Sequence, residues 1–237
     1  MSSEIVPAIL PKSFRELEEK VSQVMRIVPI VHLDVTDKTL TKDSSWPYAG
    51  NNKEFKEILE ENRGLPYWEE VNYEIHLMVK DPERAAEDWT RAGVERLIVH
   101  LEAFESDEEL SNFLAYFRER FDVGSTFLGV EIGLAVLIDT PLEKVWGHVV
   151  EADFIHFMSI NEIGAQGNKF EPRIFDRIRE LKNHFPDTIL SVDGGVGFEN
   201  AEDLMDAGVE RLIVGSEIYE EEDPRDDLLD LIELVSE

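Results

Sequence analysis

The sequence predicts an α/β fold of the (β/α)8 class, the TIM barrel, in which eight parallel strands close into a ring. Eight apolar runs with strand character alternate with segments of helical period. The 237 residues are close to the roughly 250 that are typical of this barrel. The phrase AGVERLIV occurs at 92–99 and again at 207–214, a separation of four strand–helix units of about 29 residues each. We therefore expect a single domain over residues 1–237, with a doubly wound open sheet as the alternative fold.

The eight predicted strands are short apolar runs, as expected of strands that are buried on both faces. They are Ile5–Leu10, Ile30–Val35, Tyr73–Val79, Arg96–Leu101, Glu131–Leu137, Phe154–Ile160, Thr188–Val192 and Arg211–Val214.

Helices are predicted between these strands from capping signals and from apolar residues three and four positions apart. The first helix follows Ser13, and Phe14, Leu17, Val21 and Val24 lie on one of its faces. The helix starts that we predict are Ser13 with Glu16, Asp81-Pro82, Ser106 with Glu109, Thr140-Pro141 with Glu143, and Asp223-Pro224.

The repeated phrase leads into strands 4 and 8. In both copies Ala-Gly is predicted to close a helix, Val-Glu-Arg to form the turn and Leu-Ile-Val to form a buried strand. The residues that follow differ, HLE in the first copy and GSE in the second. Because barrel active sites lie at the carboxyl ends of the strands, we assign the shared phrase to the scaffold and the differing residues to the site.

Composition excludes several kinds of protein. There is no Cys and therefore no disulfide, and no apolar run approaches the roughly 20 residues of a membrane span. The N-terminal sequence lacks the features of a leader, so we expect a cytoplasmic protein. The formal charge of −29 argues against binding to nucleic acid or to anionic membranes. A homo-oligomer is compatible with the sequence, which does not fix the oligomeric state.

Polar side chains cluster at the predicted strand ends. His32 and Asp34 lie two residues apart and share one strand face, His76 lies within strand 3, and Asp193 directly follows strand 7. Two imidazoles and two carboxylates form a mixed ligand set that suits a divalent metal, Zn²⁺, Fe²⁺ or Mn²⁺. Of the other histidines, His148 and His184 are predicted on helix surfaces, and His100 and His156 in the core or just outside the ligand set.

Small residues follow strands 7 and 8. Gly194 and Gly195 stand in SVDGGV, and Gly215 and Ser216 stand in IVGSE. Backbone N–H groups can approach an anion at such positions, and these loops are where barrels commonly bind phosphate. The alternative, two tight turns that bind no ligand, stays open.

The chain resembles the ribulose-phosphate 3-epimerase family over nearly its whole length, through IVPAIL, VHLDVTD, EIHLMVKDPER, FMSIN, SVDGGVGFEN and AGVERLIVGSEIY. The resemblance implies that His32, Asp34, His76 and Asp193 bind a divalent metal and that the two aspartates are also the paired acid and base. It further implies that Gly194, Gly195, Gly215 and Ser216 hold the phosphate of a sugar phosphate, and that Met78 and Met158 line the reaction centre.

The chemistry implied by the resemblance has a simple physical basis. Epimerisation next to a ketone removes a proton from one face of a carbon and returns a proton to the other face, which requires two acid–base groups. A metal bound to the substrate oxygens would stabilise the negative charge of the enediolate.

The sequence also departs from the family pattern. Ala8 replaces a serine, Thr36 and Lys38 replace Met and Gly, and Leu137-Ile138 replace Asn-Pro. After strand 6 the family has a lid of sequence Pro-Gly-Phe-Gly-Gly-Gln, whereas this chain has NEIGAQGNKF, which keeps Gly164, Gln166 and Gly167 and adds Glu162. After strand 2 we predict a longer loop that reaches the pocket, from the sequence TLTKDSSWPYAGNNKEF. These loops leave the identity of the sugar open.

Two further functions remain as alternatives. One is a barrel that binds a phosphorylated sugar or a metal without turnover, although such a protein needs no pair of opposed carboxylates. The other is a lyase or decarboxylase with the strand motif Asp-x-Lys-x-x-Asp, which VHLDVTDK does not contain.

Overall fold

A computed structural model describes residues 4–121, 129–164, 167–220 and 223–236. Its eight strands are all parallel and close into a barrel in chain order. The predicted TIM barrel is therefore confirmed, and the alternative, a doubly wound open sheet, is wrong. Every strand begins and ends within two residues of its predicted bounds. The strands are β1 Glu4–Ile9, β2 Ile30–Thr36, β3 Asn72–Met78, β4 Arg96–His100, β5 Glu131–Val136, β6 Phe154–Met158, β7 Ile189–Asp193 and β8 Arg211–Val214.

The helices pack around the outside of the barrel. Leu17, Val21 and Val24 of α1 are buried, as the spacing predicts. None of the helices in the described ranges is long and apolar enough to span a membrane. The helices are α1 Phe14–Val24, α2 Lys53–Leu59, α3 Pro82–Arg91, α4 Asp107–Phe121, α5 Glu143–Trp146, α6 Ile174–His184, α7 Ala201–Asp206, α8 Ser216–Tyr219 and α9 Pro224–Leu234.

Four of the five predicted helix starts are confirmed by side chains that accept a hydrogen bond from a backbone N–H of the first turn: Ser13, Asp81, Ser106 and Asp223. The prediction for Thr140 is wrong. Its hydroxyl donates to Glu102 on the preceding strand–helix connection, and α5 begins at Glu143 without a side-chain cap. The partly buried carboxylate of Glu102 thus accepts from the hydroxyl that the sequence pattern assigned to the helix terminus.

The amino end of the barrel interior contains charged side chains, which we call the floor network and define as Glu4, Glu74, Arg96, Glu131 and Arg211. Arg96 lies 2.9 Å from Glu4 and 3.5 Å from Glu74, and Arg211 lies 2.9 Å from Glu131 and 3.5 Å from Glu4. Arg96 and Arg211 are the first residues of β4 and β8, as the predicted strand bounds have them, so only the assignment of these arginines to the turn of the repeated phrase is wrong. Arginines can lie inside the barrel here because each is paired with carboxylates.

Candidate active site

The structure brings together the four residues that the sequence analysis grouped as metal ligands. Asp34 and His76 are paired in the register of β2 and β3, and His32 lies on the same face of β2 as Asp34. Asp193 ends β7 and enters the same space. One ligand atom from each of the four side chains lies within 4.8 Å of the others. The predicted convergence of these side chains at the carboxyl end of the barrel is therefore present.

His32 is fully buried between two carboxylates. Its Nδ1 lies 2.7 Å from Glu74 and its Nε2 lies 3.3 Å from Asp34. Burial alone would lower the pKa of His32, but the hydrogen bonds to Asp34 and Glu74 raise it to about 10. The metal-free ring therefore carries a proton between Nε2 and Asp34.

His76 is held by a second histidine. Its Nδ1 lies 3.0 Å from Asp34, and its Nε2 lies 2.8 Å from Nε2 of His100. Nδ1 of His100 lies 3.3 Å from Glu102. Without a metal, Nδ1–H of His76 can donate to Asp34. If His100 donates to Glu102 instead, Nε2 of His100 can accept from Nε2–H of His76, and Nδ1 of His76 is then the nitrogen that would bind a metal.

The two aspartates lie in different electrostatic environments. Burial opposes ionisation of Asp34, but hydrogen bonds from His32 and His76 hold its pKa well below the usual range. Burial, together with the negative charge of Asp34, raises the pKa of Asp193 above its usual range. One carboxylate is thus stabilised as an anion, while the other is easier to protonate.

The donor set fits a divalent cation. Two imidazole nitrogens and two carboxylate oxygens are ligands that Zn²⁺, Fe²⁺ and Mn²⁺ accept. Glu74 accepts from Nδ1 of His32, so Nε2 is the nitrogen that faces the cluster, an arrangement common for histidines that bind metals. A cation would replace the proton that His32 shares with Asp34.

The predicted phosphate-binding residues lie beside this cluster. A narrow cavity of about 40 Å³ is lined by both aspartates, by Met78 and Met158, and by Gly194, Gly195, Gly215 and Ser216. The loop after β7 requires glycine at Gly195, where φ is +66° and a Cβ atom would lie 2.7 Å from the backbone nitrogen of Phe170. Backbone atoms can therefore line the cavity at close range.

The end of β7 is tied to the loop after β6. The Ser159 hydroxyl donates to the carbonyl oxygens of Asp193 and Gly194, at 2.9 and 2.7 Å. On the other side of the loop, the Asn200 amide donates to the carbonyl of Gly195 at 2.9 Å. These bonds fix the backbone that carries Asp193 into the site.

The long loop after β2 reaches the mouth of the barrel, as the sequence predicts. A cleft of about 480 Å³ is lined by 39–43 of this loop, by 161–164 after β6, and by His100, Glu102 and Leu137. Lys42 and Glu162 form an exposed ion pair of 2.7 Å between the two loops. Gly164 lines both this cleft and the narrow cavity, whereas Gln166 lies outside the described residues.

The remaining histidines are placed partly as predicted. His100 and His156 are fully buried beside the ligand cluster, and His184 is exposed on α6, which confirms these predictions. The surface prediction for His148 is wrong. It follows α5, is 4% exposed, and its Nδ1 lies 2.7 Å from Glu151. A polar side chain in an irregular segment is buried here because it has a carboxylate partner.

Sequence reasoning missed Glu74, the residue that orients His32. A usable signal was present, because Glu74 lies two positions before His76 and therefore points to the same side of β3. Its other neighbour, Arg96, begins the next strand, and the sequence of β3 alone does not indicate that this arginine lies opposite Glu74.

Comparisons with known proteins agree with this geometry. Residues 4–219 match the model of the ribulose-phosphate 3 epimerase family. The chain is 29% identical over 224 residues to ribulose-phosphate 3-epimerase of Escherichia coli, covering 92% of this chain and 90% of the relative. It is 25% identical over 227 residues to the Schizosaccharomyces pombe enzyme of that name, covering 95% and 91%.

Solved structures share the fold at lower identity. 3-Hexulose-6-phosphate synthase from Salmonella typhimurium superposes with a TM-score of 0.70 at 14% identity and covers 98% of both chains. KGPDC from Streptococcus mutans gives 0.68 at 11% identity, covering 99% of this chain and 98% of that one. At such identity the likeness supports the barrel fold alone.

Proposed function

Because this chain belongs to the ribulose-phosphate 3-epimerase family, and is therefore an isomerase that epimerises a sugar phosphate, we propose that it inverts C3 of a ketose 5-phosphate. The first substrate to test is ribulose 5-phosphate, with xylulose 5-phosphate as the product. The altered loops after β2 and β6 make a related ketose phosphate the next candidate.

The observation that carries this proposal is the approach of Asp34 and Asp193, which reach one cavity from β2 and β7. A proton on the carbon next to a ketone is removed by a base on one face and replaced by an acid on the other. Two carboxylates that face the same carbon can perform both steps and can exchange roles in the reverse reaction. A protein that only binds a sugar phosphate needs no such pair.

We assign a divalent metal, Zn²⁺, Fe²⁺ or Mn²⁺, to His32, Asp34, His76 and Asp193. When bound, the metal supplies positive charge that stabilises the negative charge developing on the substrate oxygens. The chain's own residues prepare this site: Glu74 fixes the ring of His32, and His100 fixes the ring of His76.

We assign the phosphate group to the loops after β7 and β8. Gly194 and Gly195 let backbone N–H groups come close to an anion, and Gly215 with Ser216 contributes from the neighbouring strand. Since these residues and the two aspartates line one cavity, a bound phosphate would place the sugar carbons next to the carboxylates. Met78 and Met158 provide an apolar wall there.

The test is to incubate the metal-loaded protein with ribulose 5-phosphate in D₂O and to follow the mixture by NMR. We expect deuterium at C3 together with xylulose 5-phosphate, and loss of both after the metal is removed by a chelator. The same assay with other pentulose and hexulose phosphates identifies the preferred sugar. Binding without exchange for every sugar phosphate would replace the epimerase with a non-catalytic binder.

Variants assign the roles of the two carboxylates. Asp34→Asn and Asp193→Asn should each lower kcat by at least about 100-fold, because general acid–base catalysis contributes on that order. Asp176→Asn, on the exposed face of α6, is the matched control and should leave kcat unchanged. Normal turnover in Asp193→Asn would remove that residue from the mechanism.

A further inference from the structure

His156 is a buried histidine of β6 that the proposed mechanism does not yet use. It is fully buried, and its Nδ1 lies 3.1 Å from the hydroxyl of Ser191 on β7. Within the described part of the chain, its Nε2 is a buried polar atom without a hydrogen-bond partner. Such an atom is costly to leave unpaired, so a partner is expected close by.

Asp193 is the group that Nε2 of His156 faces. Its Oδ2 lies 3.7 Å from this nitrogen, a few tenths of an ångström beyond a hydrogen bond. The register explains the arrangement, because His156 pairs with Ser191, and Met158 pairs with Asp193, across β6 and β7. Ser191 and Asp193 lie on the same face of β7, so they contact the two nitrogens of a single ring.

The direction of the hydrogen bonds follows from charge. If the Ser191 hydroxyl donates to Nδ1, the proton of the neutral ring is on Nε2 and can be donated to Asp193. The opposite tautomer would place the Nε2 lone pair against a carboxylate oxygen in a buried space, where repulsion is not relieved by water. The first arrangement gives each ring nitrogen a partner of the right kind, and the Nε2–H bond to Asp193 forms once the 3.7 Å separation shortens by a few tenths of an ångström.

We propose that His156 is a positioning residue for epimerisation: its Nε2–H donates to Oδ2 of Asp193 and orients this carboxylate, while Ser191 fixes the tautomer of the ring. The kinetic part of the inference rests on the proposed function, in which Asp193 exchanges a proton with the substrate. Ser191, His156 and Asp193 are not a hydrolytic triad, because Ser191 is fully buried below the ring and no substrate can reach its hydroxyl.

His156 is packed against two other rings of the site. Its ring is stacked on that of His32 with centroids 5.7 Å apart, and it lies 4.9 Å from the ring of His76. Movement of the His156 ring would therefore disturb two of the predicted ligand histidines as well. The ring is held in a fixed place from which it can restrain the carboxylate.

The first experiment does not depend on turnover. Histidine-selective ¹⁵N labelling of the Zn²⁺-loaded protein, with the His156 signals assigned by their loss in His156→Gln, reports which ring nitrogen carries the proton. We expect His156 as the Nε2–H tautomer. A protonated Nδ1 with a bare Nε2 would overturn the proposal, whether or not the protein epimerises the tested sugar.

The second experiment compares two substitutions in the metal-loaded enzyme. His156→Phe keeps the ring shape without a donor and should lower kcat by about 10- to 100-fold with little change in KM. His156→Gln places an amide N–H near the position of Nε2 and should recover most of this loss. A purely structural role predicts no such recovery, so equal losses in the two variants, or none in His156→Phe, would contradict the proposal.

The control is the same pair of substitutions at His148, which is also buried but is bonded to Glu151 outside the barrel interior. His148→Phe and His148→Gln should leave kcat unchanged. If the wild-type protein epimerises no sugar phosphate, the proposed function fails, whereas the tautomer measurement still decides whether His156 donates to Asp193.

Discussion

At the scale of single residues, the site depends on Glu74, a carboxylate that lies outside the predicted ligand set and orients one of its histidines. Glu74 accepts a hydrogen bond from His32 at 2.7 Å and also lies 3.5 Å from Arg96 of the floor network. The hydrogen bond from His32, together with the charge of Arg96, lowers the pKa of Glu74 despite its burial. Glu74 is therefore ionised and strengthens His32 as a donor of electron density to a metal.

Glu74→Gln should weaken metal binding by about 10-fold or more, as is usual when a carboxylate behind a metal-binding histidine is removed. The amide oxygen can still accept from Nδ1 of His32, so the ring orientation is kept and the effect isolates the charge. Competition with a chromophoric chelator measures the affinity. Glu4→Gln is the matched control, because Glu4 contacts Arg96 and Arg211 but no ligand histidine, and equal losses in both variants would refute a specific role for Glu74.

At this scale, the candidate site residues could be predicted from sequence where they occupy alternate positions of one strand, because such residues share a face. His32 with Asp34, and His76 with Met78, share strand faces, and their convergence followed from the barrel. The partners of these residues could not be predicted in the same way. The contact of Glu74 with Arg96 depends on the relative register of β3 and β4, which the sequence of either strand alone does not specify.

At the scale of elements, the loop after β7 is the most restricted part of the site. Gly195→Ala would place a Cβ atom 2.7 Å from a backbone nitrogen, at a positive φ that alanine rarely adopts. We expect the variant to raise KM for a sugar phosphate by about 10-fold or more, because the loop must move away from the anion. Steady-state kinetics measure this effect.

Gly147→Ala is the control for that substitution, because a Cβ atom there meets nothing within 4 Å. It should leave KM unchanged and alter stability only slightly. A KM for Gly195→Ala equal to that of the wild type would show that this loop does not hold the phosphate.

The loop after β2 combines a surface part with a buried anchor. Trp46 is 1% exposed and packs against Phe14, Phe55 and Trp89 of the surrounding helices. Trp46→Ala should lower the free energy of unfolding by about 3–5 kcal/mol, the usual cost of removing a buried aromatic ring. Urea denaturation of the wild type and the variant measures this difference in the free energy of unfolding.

Trp68→Ala is the matched control, since Trp68 is 61% exposed, and should change the free energy of unfolding by less than about 0.5 kcal/mol. Equal effects at the two positions would mean that the loop is not anchored by Trp46. The anchor was not predicted from sequence, because a tryptophan in a polar stretch shows no periodicity.

At the scale of the whole molecule, the formal charge of −29 dominates the electrostatics. Most acidic side chains are on the surface, where like charges repel and favour expansion of the chain. Raising NaCl from about 0.01 to 1 M shortens the Debye length from roughly 30 to 3 Å. We expect Tm to rise across this range, and to rise equally with KCl, because screening depends on ionic strength. A Tm that falls with salt would mean that attractive ion pairs outweigh the repulsion.

The barrel itself was predictable because its evidence is distributed over the chain. Eight apolar runs, four confirmed capping side chains and one repeated phrase all agree, and an error at one of them, such as Thr140, leaves the fold unchanged. A site consists of few residues, so one wrong assignment there matters more. A single domain, a cytoplasmic location, and the absence of nucleic-acid and membrane partners stay predictions.

The two arginines of the repeated phrase, Arg96 and Arg211, place positive charge at the amino end of the barrel interior. Within the floor network, three carboxylates face two guanidinium groups, which leaves one negative charge uncompensated beneath His32. Glu4 and Glu131 are partly exposed to solvent, whereas Glu74 is fully buried, so Glu74 is the member of this network whose charge acts on His32. When a cation replaces the proton of His32, the ionised Glu74 behind the ring supplies the buried negative charge that favours it.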